Sequence, residues 1–233
     1  MKSISVLRLA AILLCCMYLL GFASLQAQVN KWVNYTPNLT TVLKNPAMGW
    51  MMYEEGWSFQ GTRHNKSNIY TPEVFWEQME ECKAADYANI LYIRMLWKDL
   101  EPEEGKYAWI YNEQYKWYIQ KAKDKGLKLA FRVFFHGVDG VPSYVYEAGA
   151  TESPIDDEGK TQPYYDNPVF LEKLDKFVEA FAKEYDNPDE VDYIDAYGLG
   201  RWGEGHGLAL EKKENLETVI RQVTGSYARH FKK

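Results

Sequence analysis

The feature that most constrains this chain is its rhythm, in which short apolar runs with the character of strands alternate four times with amphipathic stretches of helical period. The first run spans Gly49 to Tyr53. After a loop, Thr71 and Pro72 supply the N-cap and first-turn proline of a helix that keeps Phe75, Met79 and Cys82 on one face, with Cys82 expected as a small buried residue. Ile90 to Leu96 is continuously apolar except for Arg94, the pattern of a strand covered on both faces. A second helix starts near Asn112, lines up Tyr115, Tyr118, Ile119 and Ala122, and stops at Gly126, a left-handed C-terminal position. Leu127 to Phe135 is the third strand.

A longer excursion, Gly137 to Asp166, precedes a helix that opens at Asn167 and Pro168, buries Phe170, Leu174, Phe177, Val178 and Phe181, and ends before Asn187 and Pro188. Val191 to Tyr197 supplies the fourth strand. The last helix runs from about Lys213, with Leu216, Val219, Ile220, Val223 and Tyr227 on one face.

Strands alternating with helices imply an α/β fold with a parallel sheet. An open doubly wound sheet would carry a phosphate-binding glycine turn after its first strand, and Met52 to Gly56 offers none. The long polar and aromatic segments follow strands, whereas the links from helix to strand are short. That asymmetry is the mark of a (β/α)8 TIM-type barrel, whose working loops sit at the C-terminal ends of its strands. A whole barrel needs eight units in about 250 residues, so residues 45–233 are expected to be the first four units of one.

Ahead of them, a short basic stretch holding Lys2 and Arg8 precedes an apolar run from Leu9 to Phe22, with small residues at Ala23, Ser24 and Ala27. This is the layout of a signal peptide over residues 1–27, cut near Ala27, with a retained membrane anchor as the alternative. Residues 28–44 then form a polar lead-in. An exported protein is expected, with no stable membrane insertion after cleavage. Only Cys82 remains beyond the signal, so stability rests on core burial rather than on an internal disulfide. The net charge of −6 argues against nucleic acid or an anionic membrane as a partner, since each needs a clustered basic face. Eight Trp and eighteen Tyr exceed the ordinary needs of a core, and such rings also stack on sugar faces.

Chemistry concentrates in Asp195-Ala-Tyr-Gly-Leu-Gly-Arg-Trp-Gly-Glu-Gly-His206-Gly. Its glycines allow positive φ and the close approach of a ligand. A carboxyl group beside Trp202 in a partly dry loop suits Glu204 to proton donation, because an apolar neighbour disfavours the charged form. A solvated loop with an incidental glutamate is the bland alternative. A metal site would need Glu204 and His206 as ligands with Asp195 nearby, but no paired-histidine or cysteine motif completes one, and neither metal nor cofactor is expected. The second concentration is Tyr92-Ile-Arg-Met-Leu-Trp97 followed by Leu100-Glu-Pro-Glu-Glu-Gly-Lys-Tyr107-Ala-Trp109. The third is Phe134-Phe-His136 with Val141-Pro-Ser-Tyr144 after it.

Together these segments resemble the clan A glycoside hydrolases, particularly the barrels of β-galactosidase and cellulase type, over roughly Asn45 to His206. In those barrels an Arg on strand two precedes Trp, Glu-Pro, Glu-Gly and an aromatic residue. The resemblance implies hydrolysis of O-glycosidic bonds in an oligo- or polysaccharide by a retaining mechanism, with Glu204 as general acid/base and a glutamate after strand seven as nucleophile. Many clan members place Asn immediately before the acid/base residue, where this chain has Gly203.

By the same resemblance Arg94 would hold the nucleophile carboxylate, the alternative being an interior ion pair. His136 would bind a substrate hydroxyl or the active-site carboxylates, or else be a core histidine. Trp202 and Trp97 would stack on sugar, although Trp97 fits a core equally well. His206 and Glu54, the latter in the loop after strand one, complete the substrate contacts. Glu101, Glu103 and Glu104 are expected in a solvated turn. A glycosidase needs two carboxyl groups, about 5–5.5 Å apart if retaining and roughly 6.5–9.5 Å apart if inverting. Only one strong candidate is present, so the stretch by itself is expected to be inactive. With Arg94, Phe131 and Phe134 facing inward over missing strands, it is also expected to pair edge to edge. A non-catalytic carbohydrate-binding barrel is the competing reading, and a metal-assisted hydrolase the third.

Overall fold

The computed structural model describes residues 36, 40, 49–54, 71–136, 140–155, 159 and 161–232. The expected signal peptide, most of the lead-in and the loop after the first strand lie outside these. The described elements belong to the compact unit Val42–Lys233.

The described residues form four parallel strands in sequential order: β1 (Trp50–Glu54), β2 (Ala88–Leu96), β3 (Lys128–Phe134) and β4 (Val191–Ile194). The helices are α1 (Pro72–Glu81), α2 (Ala84–Tyr87), α3 (Trp97–Leu100), α4 (Ala108–Tyr111), α5 (Glu113–Asp124), α6 (Ser143–Glu147), α7 (Pro168–Tyr185) and α8 (Leu216–His230). None of them is long and apolar enough to cross a membrane.

Caps set the long helices. The Thr71 side chain accepts from the Val74 N–H, Asn112 from Gln114 and Tyr115, and Asn167 from Val169 and Phe170, so each helix start has one or two of its free amides satisfied. The short helices α2, α3, α4 and α6 escaped the periodicity, because one turn is too short to show a period. Cys82 also departs from expectation. It caps the C-terminus of α1 and is exposed, because the helix ends before its apolar stripe reaches that position.

Strand alternation divides the sheet into two chemically different faces. Leu91, Ile93 and Met95 of β2 and Leu129, Phe131 and Val133 of β3 join one buried cluster with Phe75, Tyr115, Tyr118, Phe177 and Val223 from the helices. Fourteen buried aromatic side chains lie in this cluster. Trp97 packs on Phe135, Phe170 and Phe177, and Trp109 on Phe181 and Tyr185. Phe131, expected to point inward beside Arg94, lies on the helix side against Phe181 and Tyr185. The register pairs Arg94 with Arg132, and a shift of one residue reverses the face.

The opposite face carries Tyr53, Tyr92, Arg94, Ala130, Arg132, Phe134 and Tyr193. Tyr53, Tyr92, Ala130 and Tyr193 form one lateral row through the register. The small Ala130 lets the Tyr92 and Tyr193 rings meet above it at 5.9 Å. Sequential strand order with a common buried cluster on one side is a singly wound sheet, unlike a doubly wound one, whose strand order reverses. β4 is shorter than the expected Val191–Tyr197. One further sheet bond runs from the Asp195 N–H to the Phe131 carbonyl, after which the chain turns away at Gly198 with φ 67°.

Candidate functional site

The loop after β4 is a folded unit rather than a solvated excursion. Its backbone closes on itself through Arg201 N–H to His206 O at 2.9 Å, Glu204 N–H to Arg201 O at 3.0 Å and Gly205 N–H to Leu199 O at 3.0 Å. The buried Gln162 amide adds a bond to the Gly207 carbonyl at 2.8 Å. The glycines were expected to admit a ligand, and two of them instead admit the protein's own strand. A Cβ on Gly198 would stand 2.2 Å from the Val133 carbonyl oxygen, and one on Gly203 would stand 2.8 Å from Cβ of Phe134. Gly203 also has φ 74°. A side chain at Gly203 would therefore have to displace Phe134.

Trp202, between these glycines, takes φ 53° and ψ 15°, a left-handed conformation that costs a residue with a side chain about 1–2 kcal/mol. The Arg94 guanidinium holds that turn from below, donating to the Trp202 carbonyl at 3.1 Å. Arg94 also donates to the Tyr53 hydroxyl and lies 5.3 Å over the Phe134 ring. The Trp202 ring is left exposed, with the His206 ring 5.7 Å away.

Glu204 follows directly. Its side chain is 43% exposed, with Oε1 at 3.4 Å from Arg132 Nη1 and Oε2 at 3.8 Å from His206 Nε2. The dry setting against Trp202 that the sequence suggested is therefore absent. The glutamate stands at the surface beside a cation.

Arg132 links this loop to the sheet. Its Nε donates to Asp195 Oδ2 at 2.7 Å, the Tyr92 hydroxyl donates to the same oxygen at 2.6 Å, and the guanidinium lies 5.8 Å over the Tyr92 ring. Burial works against the charge of Arg132, but Asp195, Tyr92 and Glu204 outweigh it and hold the guanidinium above its ordinary pKa. Burial first, and then the Asp195 carboxylate, push the Tyr92 phenol far above its usual range, so Tyr92 is a neutral donor at any physiological pH.

The structure thus brings together Arg94, Trp202, Glu204 and His206 among the expected residues. Trp97 is corrected: it is fully buried among Phe135, Phe170 and Phe177, its Nε1–H bound to Glu101, and offers no face to a sugar. His136 is buried just past the end of β3. Glu54 is the last residue of β1 rather than part of the following loop. Glu101 is corrected as well, being 2% exposed where a solvated position was expected.

Sequence reasoning missed Arg132, Tyr53, Tyr92 and Tyr193 as members of the site and met Asp195 only as a possible metal neighbour. The available signal was alternation: Ala130, Arg132 and Phe134 share the face of Arg94. Among the described residues, no group of three or more His, Cys, Asp and Glu side chains could hold a metal ion.

No family model and no curated protein matches the chain. Among solved structures, it is similar to the GH1 β-glucosidase from Exiguobacterium antarcticum B7, with TM-score 0.45, 14% identity, and 68% of this chain against 33% of that one. It is also similar to endo-glycoceramidase II from Rhodococcus sp., with TM-score 0.42, 16% identity, and 69% of this chain against 41% of that one. A third is the β-galactosidase from Rahnella sp. R3, with TM-score 0.41, 18% identity, and 56% of this chain against 21% of that one. The chain spans about a third of the length of the first of these proteins.

Proposed function

We propose that the chain is the first half of an exported (β/α)8 glycoside hydrolase, with Glu204 as general acid/base and the nucleophile supplied from beyond residue 233. The observation that carries this reading is the left-handed Trp202. Backbone strain of this kind persists where the surroundings enforce it, and here Arg94 and the glycine contacts do so. What the strain achieves is an exposed indole with a carboxyl and an imidazole beside it, above a face lined by tyrosine and arginine. An aromatic plane with polar groups at its rim is what a sugar ring requires, one apolar face and a girdle of hydroxyls.

The chemistry follows from that placement. A sugar stacked on Trp202 would set its glycosidic oxygen near Glu204, which donates a proton to the departing oxygen and, in a retaining cycle, later takes one from water. Arg94, from below, keeps the Trp202 turn in place. Glu204→Gln in the full-length protein is expected to lower turnover of natural glycosides by about 10²–10⁴-fold, the usual range for general acid catalysis, and to affect activated aryl glycosides less. Wild-type rates in this variant would remove Glu204 from the chemistry.

The exposure of Glu204 and its cationic neighbour favour a second reading, a carbohydrate-binding site in which Arg132, Glu204 and His206 only hydrogen-bond sugar hydroxyls. Intact oligosaccharide affinity together with no measurable hydrolysis by the full-length protein would select it.

A further inference from the structure

Building on the glycosidase reading, we propose that Arg132 is the positioning residue for Glu204, anchored in turn by Asp195 and Tyr92. Its guanidinium reaches two carboxylates on different segments, Asp195 at the end of β4 and Glu204 in the loop beyond, through two different nitrogens. A planar fork can do this, whereas the point charge of a lysine serves one acceptor well and the other poorly. The two contacts are unequal. The bond to Asp195, at 2.7 Å, is short and charge-assisted, and Tyr92 donates to the same oxygen, so this end is fixed. The contact with Glu204, at 3.4 Å, is long, and the carboxylate is 43% exposed.

Arg132 is thus a rigid post against which the Glu204 carboxyl rests while its other side stays open to a ligand. The post is seated from three directions. Tyr92 lies under the guanidinium, Asp195 holds Nε, and the Gly203 backbone passes over the side chain, where a Cβ would stand 3.4 Å from Arg132 Cδ. A residue that served only to staple β3 to β4 would need the Asp195 bond alone. The Nη1 contact beneath an exposed carboxyl adds nothing to that task.

The test is a double-mutant cycle on the full-length protein, with glycosides of poor and of activated leaving groups. Misplacing a reacting group by about 1 Å costs on the order of 10²-fold, so Arg132→Gln should lower kcat on poor leaving groups by about 10–100-fold with little change in KM. Activated aryl glycosides, which need little proton donation, should lose several-fold less. In the Glu204→Gln background the same substitution should cost less than about 3-fold, because its target is gone. Arg132→Lys should recover only part of the loss.

Equal losses on both leaving-group classes, or the full Arg132→Gln loss persisting on top of Glu204→Gln, would overturn the positioning role while leaving the Glu204 assignment intact. Wild-type turnover in Glu204→Gln would instead overturn the assignment on which both rest. If Arg132→Gln does not fold, Asp195→Asn loosens the anchor from the other side and must give the same leaving-group dependence. Its absence would count equally against the proposal.

Discussion

Glu101→Gln tests the packing logic with a nearly isosteric change. The Glu101 carboxylate is 2% exposed and accepts from the Trp97 indole at 2.8 Å and the Tyr144 hydroxyl at 2.6 Å on Oε2 and from the Gly105 amide at 2.9 Å on Oε1, with the Tyr107 hydroxyl also bonded to it. Glutamine has one acceptor oxygen, so in either orientation its NH2 confronts a donor. The milder orientation keeps oxygen on Trp97 and Tyr144 and sets NH2 against Gly105. One bond to a charged acceptor is lost, the others lose their charge assistance, and a buried N–H is orphaned. Bonds to charged groups contribute about 1.5–3 kcal/mol and an orphaned donor costs about 1–3 kcal/mol, so the loss should be about 2.5–6 kcal/mol. For a domain of this size that lowers Tm by roughly 5–25 °C. Circular dichroism melts should show it, with Glu103→Gln as control. Glu103 pairs with Lys106 on the surface, where such pairs contribute about 0.2–1 kcal/mol at most. A Glu101→Gln melt within about 1 °C of wild type, or equal drops in both variants, would refute the reasoning.

Gly203→Ala should destabilise by about 1–3 kcal/mol, since its Cβ meets Phe134 at 2.8 Å in a left-handed backbone, and a lowered urea midpoint would record it. Trp202→Ala should weaken oligosaccharide binding by about 1 kcal/mol or more in calorimetry without lowering Tm, and unaltered affinity would make the ring merely structural. The Asp166 carboxyl is pulled below its ordinary pKa: burial opposes this, but the Glu211 and Lys212 amides and the Asn215 side chain outweigh it. A lowered folded-state pKa contributes stability that is present above the unfolded carboxylate range and is lost as the pH falls through the folded value. Asp166→Asn should therefore flatten the acid limb of the stability profile, and an unchanged limb would exclude Asp166 as a source of it.

Much of the architecture was legible because helices and strands announce themselves by period. Thr71, Asn112 and Asn167 cap where the sequence placed them, and Gly126 has φ 70°. The post-β4 segment was conspicuous for a similarly local reason, since five glycines around a tryptophan are rare. The purpose of those glycines was hidden. Whether a missing Cβ makes room for a ligand or for Phe134 depends on which strand lies underneath, and no local pattern states that.

The sequence by itself determined the alternation of elements, their caps, the apolar stripes of α5, α7 and α8, and the presence of Arg94 within a strand, all of which depend on neighbours within a few residues along the chain. Only the tertiary structure decided which face each residue of β3 occupies, that Trp97 and Glu101 are a buried pair, and that Arg132 joins Asp195 to Glu204 across 63 and 72 positions of sequence. These rest on strand register and on the path of a loop over the sheet. Register is a choice between two parities made by the whole buried face at once, and it turns Phe131 toward the helices and Arg132 toward the site.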